Sequence, residues 1–191
     1  MNRLLAAAAL LSISACSTAP PGTLGPGQAS APAFAPAPAE EVAILQVIDT
    51  FLLAVGNGDR ALQASVELPD GGLAIYRSRD GVDGPVRRMP ASDFQKPTPD
   101  HDPFVEMYWA PDMLVRGSFA QVWTPYVLRD NGAVVHCGIN AFQLVKLVKL
   151  EGGWKIHSAL SSMEPGACDE LGAATATGLR PRDGWRETRS E

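Results

Sequence analysis

The side chains with the most chemistry fall in one short stretch. Between Val134 and Phe142 the two-residue period of a strand sets His136, Gly138, Asn140 and Phe142 on one face, and Val135, Cys137, Ile139 and Ala141 on the other. Upstream, Glu106 and Tyr108 share a face, as do Thr124 and Tyr126. An acid–base reading makes His136, Glu106 and Tyr126 the catalytic candidates: His136 is paired with Glu106, and Tyr108 or Tyr126 donates a hydrogen bond to a developing oxyanion. A noncatalytic pocket reading takes His136, Asn140, Tyr108, Tyr126 and Trp123 as ligand contacts. Against both stands the wholly apolar set from Val135 to Ala141, which is the better core face and would leave His136 and Asn140 in solvent, with Glu106 a surface carboxylate. The pattern favours that last reading.

Other constellations carry less. Asp100-His101-Asp102 contains metal-ligand types, but adjacent residues in a Pro-flanked loop rarely converge on one ion, and no further His/Cys pattern completes a zinc site. Trp109, Trp123 and Tyr126 could line an aromatic pocket, although aromatic residues at strand spacing are more often core. Neither a phosphate-cradling glycine loop nor a nucleophile elbow is present. No metal and no cofactor is expected.

The elements that must position these residues follow from periodicity. Ile44, Leu45, Ile48, Phe51, Leu52 and Val55 recur at three and four along 40–55, predicting an amphipathic helix that Gly56-Asn57-Gly58 ends. Asp59 then caps a shorter helix, which stops before Pro69. From Gly72 the pattern is that of strands, with 73–77 pairing with 86–89, a brief helix near Ser92, and a breaker-rich segment over 96–103. Strands are then expected over 104–109, 114–116, 119–129, 133–150 and 154–162, with turns at Asp130-Asn131-Gly132 and Glu151-Gly152-Gly153. Helices followed by a meander of long antiparallel strands argue for an α+β domain with the helices on one sheet face. A straight strand over 133–150 would exceed about 50 Å, so the sheet must bend, and a strongly curved sheet with helices in its mouth is a cone.

Several strings fit a known family at this point: Asp49-Thr50-Phe51, Asn57-Gly58-Asp59, Val122-Trp123-Thr124-Pro125-Tyr126, His136-Cys137-Gly138, Phe142-Gln143-Leu144-Val145-Lys146 and Gly152-Gly153-Trp154-Lys155-Ile156. In this order they resemble the nuclear transport factor 2-like superfamily, of the SnoaL-like or lumazine-binding type, over about 42–162. The resemblance implies a cone-shaped, strongly curved antiparallel sheet with the N-terminal helices packed in its concave face, and a homodimer whose sheets pack face to face. Members of that superfamily include ketosteroid isomerase, cyclases, dehydratases and noncatalytic proteins, so fold alone assigns no activity. The isomerase's pair of pocket aspartates has no clear counterpart here. One departure is the repetition of Val145-Lys146-Leu147 in Val148-Lys149-Leu150, three residues that invert the faces of the last hairpin unless a bulge absorbs them.

The first residues set an address. Met-Asn-Arg, an apolar run from Leu4 to Ile13, and small residues at Ser14 and Ala15 have the layout of a secretory signal peptide over 1–15, too short for a lasting membrane span. Ile13-Ser14-Ala15-Cys16 resembles the bacterial lipobox, which implies lipidation at Cys16 and anchoring to a membrane through that lipid. By the same resemblance Ser17, standing where an inner-membrane retention aspartate would be, favours the periplasmic face of the outer membrane. The uncharged stretch 17–39 interleaves six prolines with Ala, Gly, Ser and Thr, the composition of a flexible tether. The folded domain is expected over 40–165, with 166–191 a polar, disordered tail.

Charge and cysteines bound the partners. A formal net charge of −5 with no basic stripe excludes nucleic acid as a principal partner. With Cys16 lipidated, Cys137 and Cys168 remain, and in an oxidising envelope they are expected to pair. The functional expectation is an envelope lipoprotein whose domain binds a small apolar molecule or a protein without catalysis. The alternative is a cofactor-independent SnoaL-like enzyme performing proton transfer or hydration.

Overall fold

The computed structural model describes residues 34–79, 82–94, 103–147 and 153–181. The signal peptide, Cys16, most of the tether, Asp100-His101-Asp102 and the repeated 148–150 lie outside the described residues.

Helix α1 spans Pro38–Asn57 and begins two residues before its sequence signal, because Pro38 suits a first helical turn that needs no N–H donor. Its stripe of Ile44, Leu45, Ile48, Phe51 and Leu52 is buried, and Gly58 closes it at φ 68°. Asp59 accepts a hydrogen bond from Leu62 N at 2.9 Å and starts α2, Arg60–Val66. Strands β1 (Glu67–Arg79) and β2 (Val82–Pro90) pair as expected, with Leu73 opposite Met89 and Tyr76 opposite Val86, and a short α3 (Ala91–Phe94) follows. The remaining strands are β3 (Phe104–Tyr108), β4 (Asp112–Arg116), β5 (Phe119–Asp130), β6 (Ala133–Leu147) and β7 (Gly153–Met163).

These strands form one curved, open, seven-stranded sheet in the order β2-β1-β7-β6-β5-β3, with β4 also on β5. The fold is α+β and mostly antiparallel. One pairing departs from a pure meander: β1 runs parallel to β7. The long strands shift register at Leu128/Arg129 and Gln143/Leu144, local irregularities of the kind that let a sheet curl. The second shift lets Leu144 face Ile156 after Gln143 has faced Ser158, so His157 is the extra residue. Trp154, Ile156 and Ala159 are all buried as a result, with α1 packed against the same inner face.

Two boundaries differ from the sequence expectation. Residues 34–39, assigned to the tether, join the fold: Val115 N donates to Phe34 O at 2.7 Å, and α1 begins within the stretch. Residues 166–181, assigned to a disordered tail, form a strap across the outer face of the sheet. Leu171, Ala173, Ala176 and Leu179 pack on a cluster of Trp109, Val127 and Cys137. Glu164 N bonds Cys137 O at 2.8 Å where the strap leaves β7, and Tyr108 and Arg180 exchange backbone bonds of 2.7 and 2.8 Å where it ends. Between these points Cys137 and Cys168 are joined by a disulfide, with Cα atoms 5.1 Å apart.

Candidate functional site

The inner face of the sheet carries Thr124 and Tyr126 on β5, His136, Gly138 and Asn140 on β6, and Ser161 on β7. Asn140 is 1% exposed and His136 5%, whereas Val135 on the opposite face is 48% exposed. The preference for the apolar set as core is therefore overturned. The physical reason is that polar groups can be buried when they satisfy one another, and here they do. Asn140 Nδ2 donates to Glu106 Oε1 at 2.7 Å, and Asn140 Oδ1 accepts from Ser161 Oγ at 2.5 Å. The partners lie 34 and 21 residues away, beyond any local pattern.

Around these residues is a cavity of about 340 Å³, lined by the aliphatic side chains of Leu73, Ile75, Met89, Leu128 and Met163 and by Phe104, with Arg60, Glu106, Tyr126, His136 and Ser161 as the polar members. This volume and mixture suit a small ligand, being mostly apolar with a few converging polar groups. Glu106 is drawn off the surface. Burial, the larger effect, pushes its carboxyl up to about 7 from an ordinary 4.5, while the Asn140 hydrogen bond pulls the other way. A carboxyl so placed exchanges its proton near neutrality.

Gly138 makes room for this arrangement. A Cβ there would stand 2.1 Å from Ser162 O and 2.9 Å from the Tyr126 ring, so only glycine lets Tyr126 cross to its partner. The Tyr126 hydroxyl donates to Ser162 O at 2.7 Å, and its ring meets the His136 imidazole edge-on at 5.7 Å. Burial first, and then the charges of Glu106 and Glu164, push the phenol well above its ordinary range. Tyr126 therefore lines the cavity as a neutral strut whose hydroxyl hydrogen bond is already made to the backbone, not as the oxyanion donor that the acid–base reading allowed it to be.

Tyr108 is placed elsewhere. Its hydroxyl donates to Asp49 Oδ1 at 2.7 Å and accepts from Arg180 Nε at 3.1 Å, while the Arg180 guanidinium pairs with the Asp49 carboxylate. Burial and Asp49 push this phenol upward too. The cluster ties α1, β3 and the strap together and does not line the cavity. Trp123 is 51% exposed on the outer face, near Ala141 and Leu160. Trp109 lies under the strap, so the aromatic pocket that Trp109, Trp123 and Tyr126 could have lined is not assembled, and Trp109 and Tyr126 are core as such residues more often are.

Of the sequence candidates, the structure brings Glu106, Tyr126 and His136 to one cavity and places Asn140 behind Glu106. It adds Ser161 and Arg60, which sequence reasoning missed. Arg60 followed a capping residue and read as surface helix. The available signal was Gln63 one turn on, which accepts from Arg60 Nη1 at 2.9 Å. Among the described residues no cluster of three or more His, Cys, Asp or Glu could hold a metal ion, and no helix is long and apolar enough to cross a membrane.

No family model and no curated protein matches the sequence. Solved structures do match in shape. A nuclear transport factor 2-like protein with a cystatin-like fold from Novosphingobium aromaticivorans superimposes with a TM-score of 0.51 at 14% identity, over 70% of this chain and 88% of that one. A protein of unknown function with a cystatin-like fold from Nostoc punctiforme gives 0.54 at 9% identity, over 68% and 95%. A protein of unknown function from Mycobacterium tuberculosis gives 0.50 at 14% identity, over 65% and 72%. The chain has the nuclear transport factor 2-like fold.

Proposed function

We propose that this domain is a small-molecule-binding module of the cell envelope, held at a membrane by a lipid on Cys16 and taking its ligand into the cavity beside His136 and Glu106. The observation that carries the binding reading is the cavity itself, where apolar walls surround a few fixed polar groups. Asn140 and Ser161 belong to the site as positioning residues, since they hold Glu106 from behind. A screen of small apolar compounds against the full chain tests this. The expected result is saturable binding that weakens about tenfold or more in His136→Ala, the scale for losing one well-placed polar contact. Equal affinities in the two proteins would remove this site from consideration. Run in deuterium oxide, the same screen reads the enzymatic alternative, which Glu106 favours because a general base works best near its operating pH. Incorporation of deuterium at a ligand carbon by the wild type and not by Glu106→Gln would replace the binding reading with proton-transfer catalysis.

The anchor rests on the apolar run ending in Ile13-Ser14-Ala15-Cys16 and on the uncharged stretch that follows. Cys16→Ser is expected to abolish fatty-acid labelling of the protein in cells and to release it from the detergent-extracted fraction. Labelling that persists in the variant would refute lipidation at this residue.

A further inference from the structure

The strap covers Trp109, Val127 and Cys137 at one end of the sheet's outer face and leaves the other end open. There Trp123, Leu160 and Val86 are half-exposed, whereas Trp109 under the strap is buried. The strand registers set these outward side chains in a row across the sheet, from Asp112 through Trp123, Ala141, Leu160 and Ala74 to Arg88. From Trp123 on β5 to Arg88 on β2 the row covers about 19 Å at the usual strand spacing. A groove of about 820 Å³ follows this part of the row. Apolar side chains gathered on an open face and rimmed by polar ones mark a surface built to bind something.

A polar row runs beside the apolar one, two residues along each strand. Gln121, Gln143 and Ser158 are paired across β5, β6 and β7, and all three line the groove. Ser158 Oγ donates to Gln143 Oε1 at 2.9 Å, which fixes that amide with its Nε2 donor turned away from Ser158. Side-chain amides offer donors and an acceptor together, the equipment for hydroxyl groups, which both give and accept hydrogen bonds. Asp112, opposite Trp123 on β4, adds an acceptor at the rim. Asp70 and Arg88 in the lining carry opposite charges, and Asp112 disfavours anions, so the groove complements an uncharged polar ligand.

We infer that this groove is a glycan-binding site, taking an uncharged, β-linked oligosaccharide along the row from Trp123 to Arg88. A sugar ring has an apolar C–H face and a rim of hydroxyls, the same division as the two rows of side chains. One ring stacks on Trp123, where the small Ala141 leaves room beside the indole, and the hydroxyls meet Gln121, Gln143 and Ser158. Linkage follows from shape: β-1,4-linked rings make a straight, flat chain that can lie along the row, whereas α-1,4-linked rings coil away from it. The site is on the face opposite the cavity and stands whether or not the cavity takes a ligand. The test is calorimetric titration of the full chain with cellotetraose, acetylated chitotetraose and the α-linked maltotetraose. At least one β-linked chain is expected to bind saturably and at least about tenfold more tightly than maltotetraose. Trp123→Ala is expected to weaken that binding about tenfold or more, the scale for losing one stacked ring, and Trp123→Phe to keep part of it. Because Trp123 is half-exposed, circular dichroism of both variants should match the wild type. Equal affinities in the wild type and Trp123→Ala would overturn the placement, and maltotetraose bound as tightly as the others would overturn the straight-chain ligand. Binding of none of the three sugars would overturn the proposal, and sedimentation showing a dimer that Trp123→Ala splits would then assign the face to a second copy of the chain.

Discussion

Replacing Cys137 and Cys168 together by serine is expected to lower the unfolding free energy by about 3–4 kcal/mol, the chain-entropy value for a loop of this length. The bond closes a sequence separation of 31 residues that holds most of β6, all of β7 and the first part of the strap, so its loss restores freedom to a long piece of the unfolded chain. A further contribution comes from the sulfur's surroundings: Cys137 is fully buried against Trp109, Val127 and the strap, where a serine hydroxyl is a poor substitute for a thioether-like contact. Urea unfolding of the wild type and the double variant, followed by far-UV circular dichroism, measures the difference. A shift below about 0.5 kcal/mol would mean the strap holds without its covalent tie, and two alkylatable thiols in the nonreduced protein would show that the bond is not made.

Glu106→Gln is expected to stabilise the domain at pH 8 by on the order of 2 kcal/mol and to have little effect at pH 4. The sign follows from the direction of the shift. Burial raises the folded-state value to about 7 from 4.5, so between these limits the folded protein keeps a proton that the unfolded chain has released. The contribution of Glu106 to stability is then greatest below about 4.5, declines as pH rises toward 7, and is flat above it. The amide cannot ionise and can still accept from Asn140, so the variant escapes this decline. Urea midpoints of both proteins at pH 4, 6 and 8 provide the check. Parallel profiles would show that Glu106 does not titrate against burial.

How much of this was legible depended on how local each interaction is. The helical hairpin could be read because Ile44, Leu45, Ile48, Phe51 and Leu52 repeat within two turns and Asp59 caps its own helix. The strands from β3 to β7 announced themselves by β-prone runs and by turns such as Asp130-Asn131-Gly132. The parallel contact of β1 with β7 had no such signal, since it joins Leu73 to Ala159 with almost the whole domain between them. The strap was missed because Leu171, Ala173, Ala176 and Leu179 follow neither a helical nor a strand period and are held by turns. In the site, strand alternation correctly grouped His136 with Asn140 but ranked their face as the wet one. Hydropathy counts the polar atoms of Asn140 as a cost, and only the fold supplies Glu106 and Ser161 to cancel it.

The closure of the domain by its last residues also sets an order of events during synthesis. Arg180 pairs with Asp49 across 131 positions of sequence, and Cys168 follows its partner by 31. Because a chain emerges from its N-terminus, whether from a ribosome or across a membrane, the residues of α1 and of the sheet are presented before Cys168 and Arg180. Any sheet formed before the strap arrives would leave Trp109 and Val127 without their cover and Cys137 without its partner, so that two such chains could cross-link through sulfur or adhere through those side chains. The strap thus has to arrive before the outer face is closed, and a chain truncated ahead of Cys168 is expected to self-associate through Cys137 and the uncovered Trp109 and Val127.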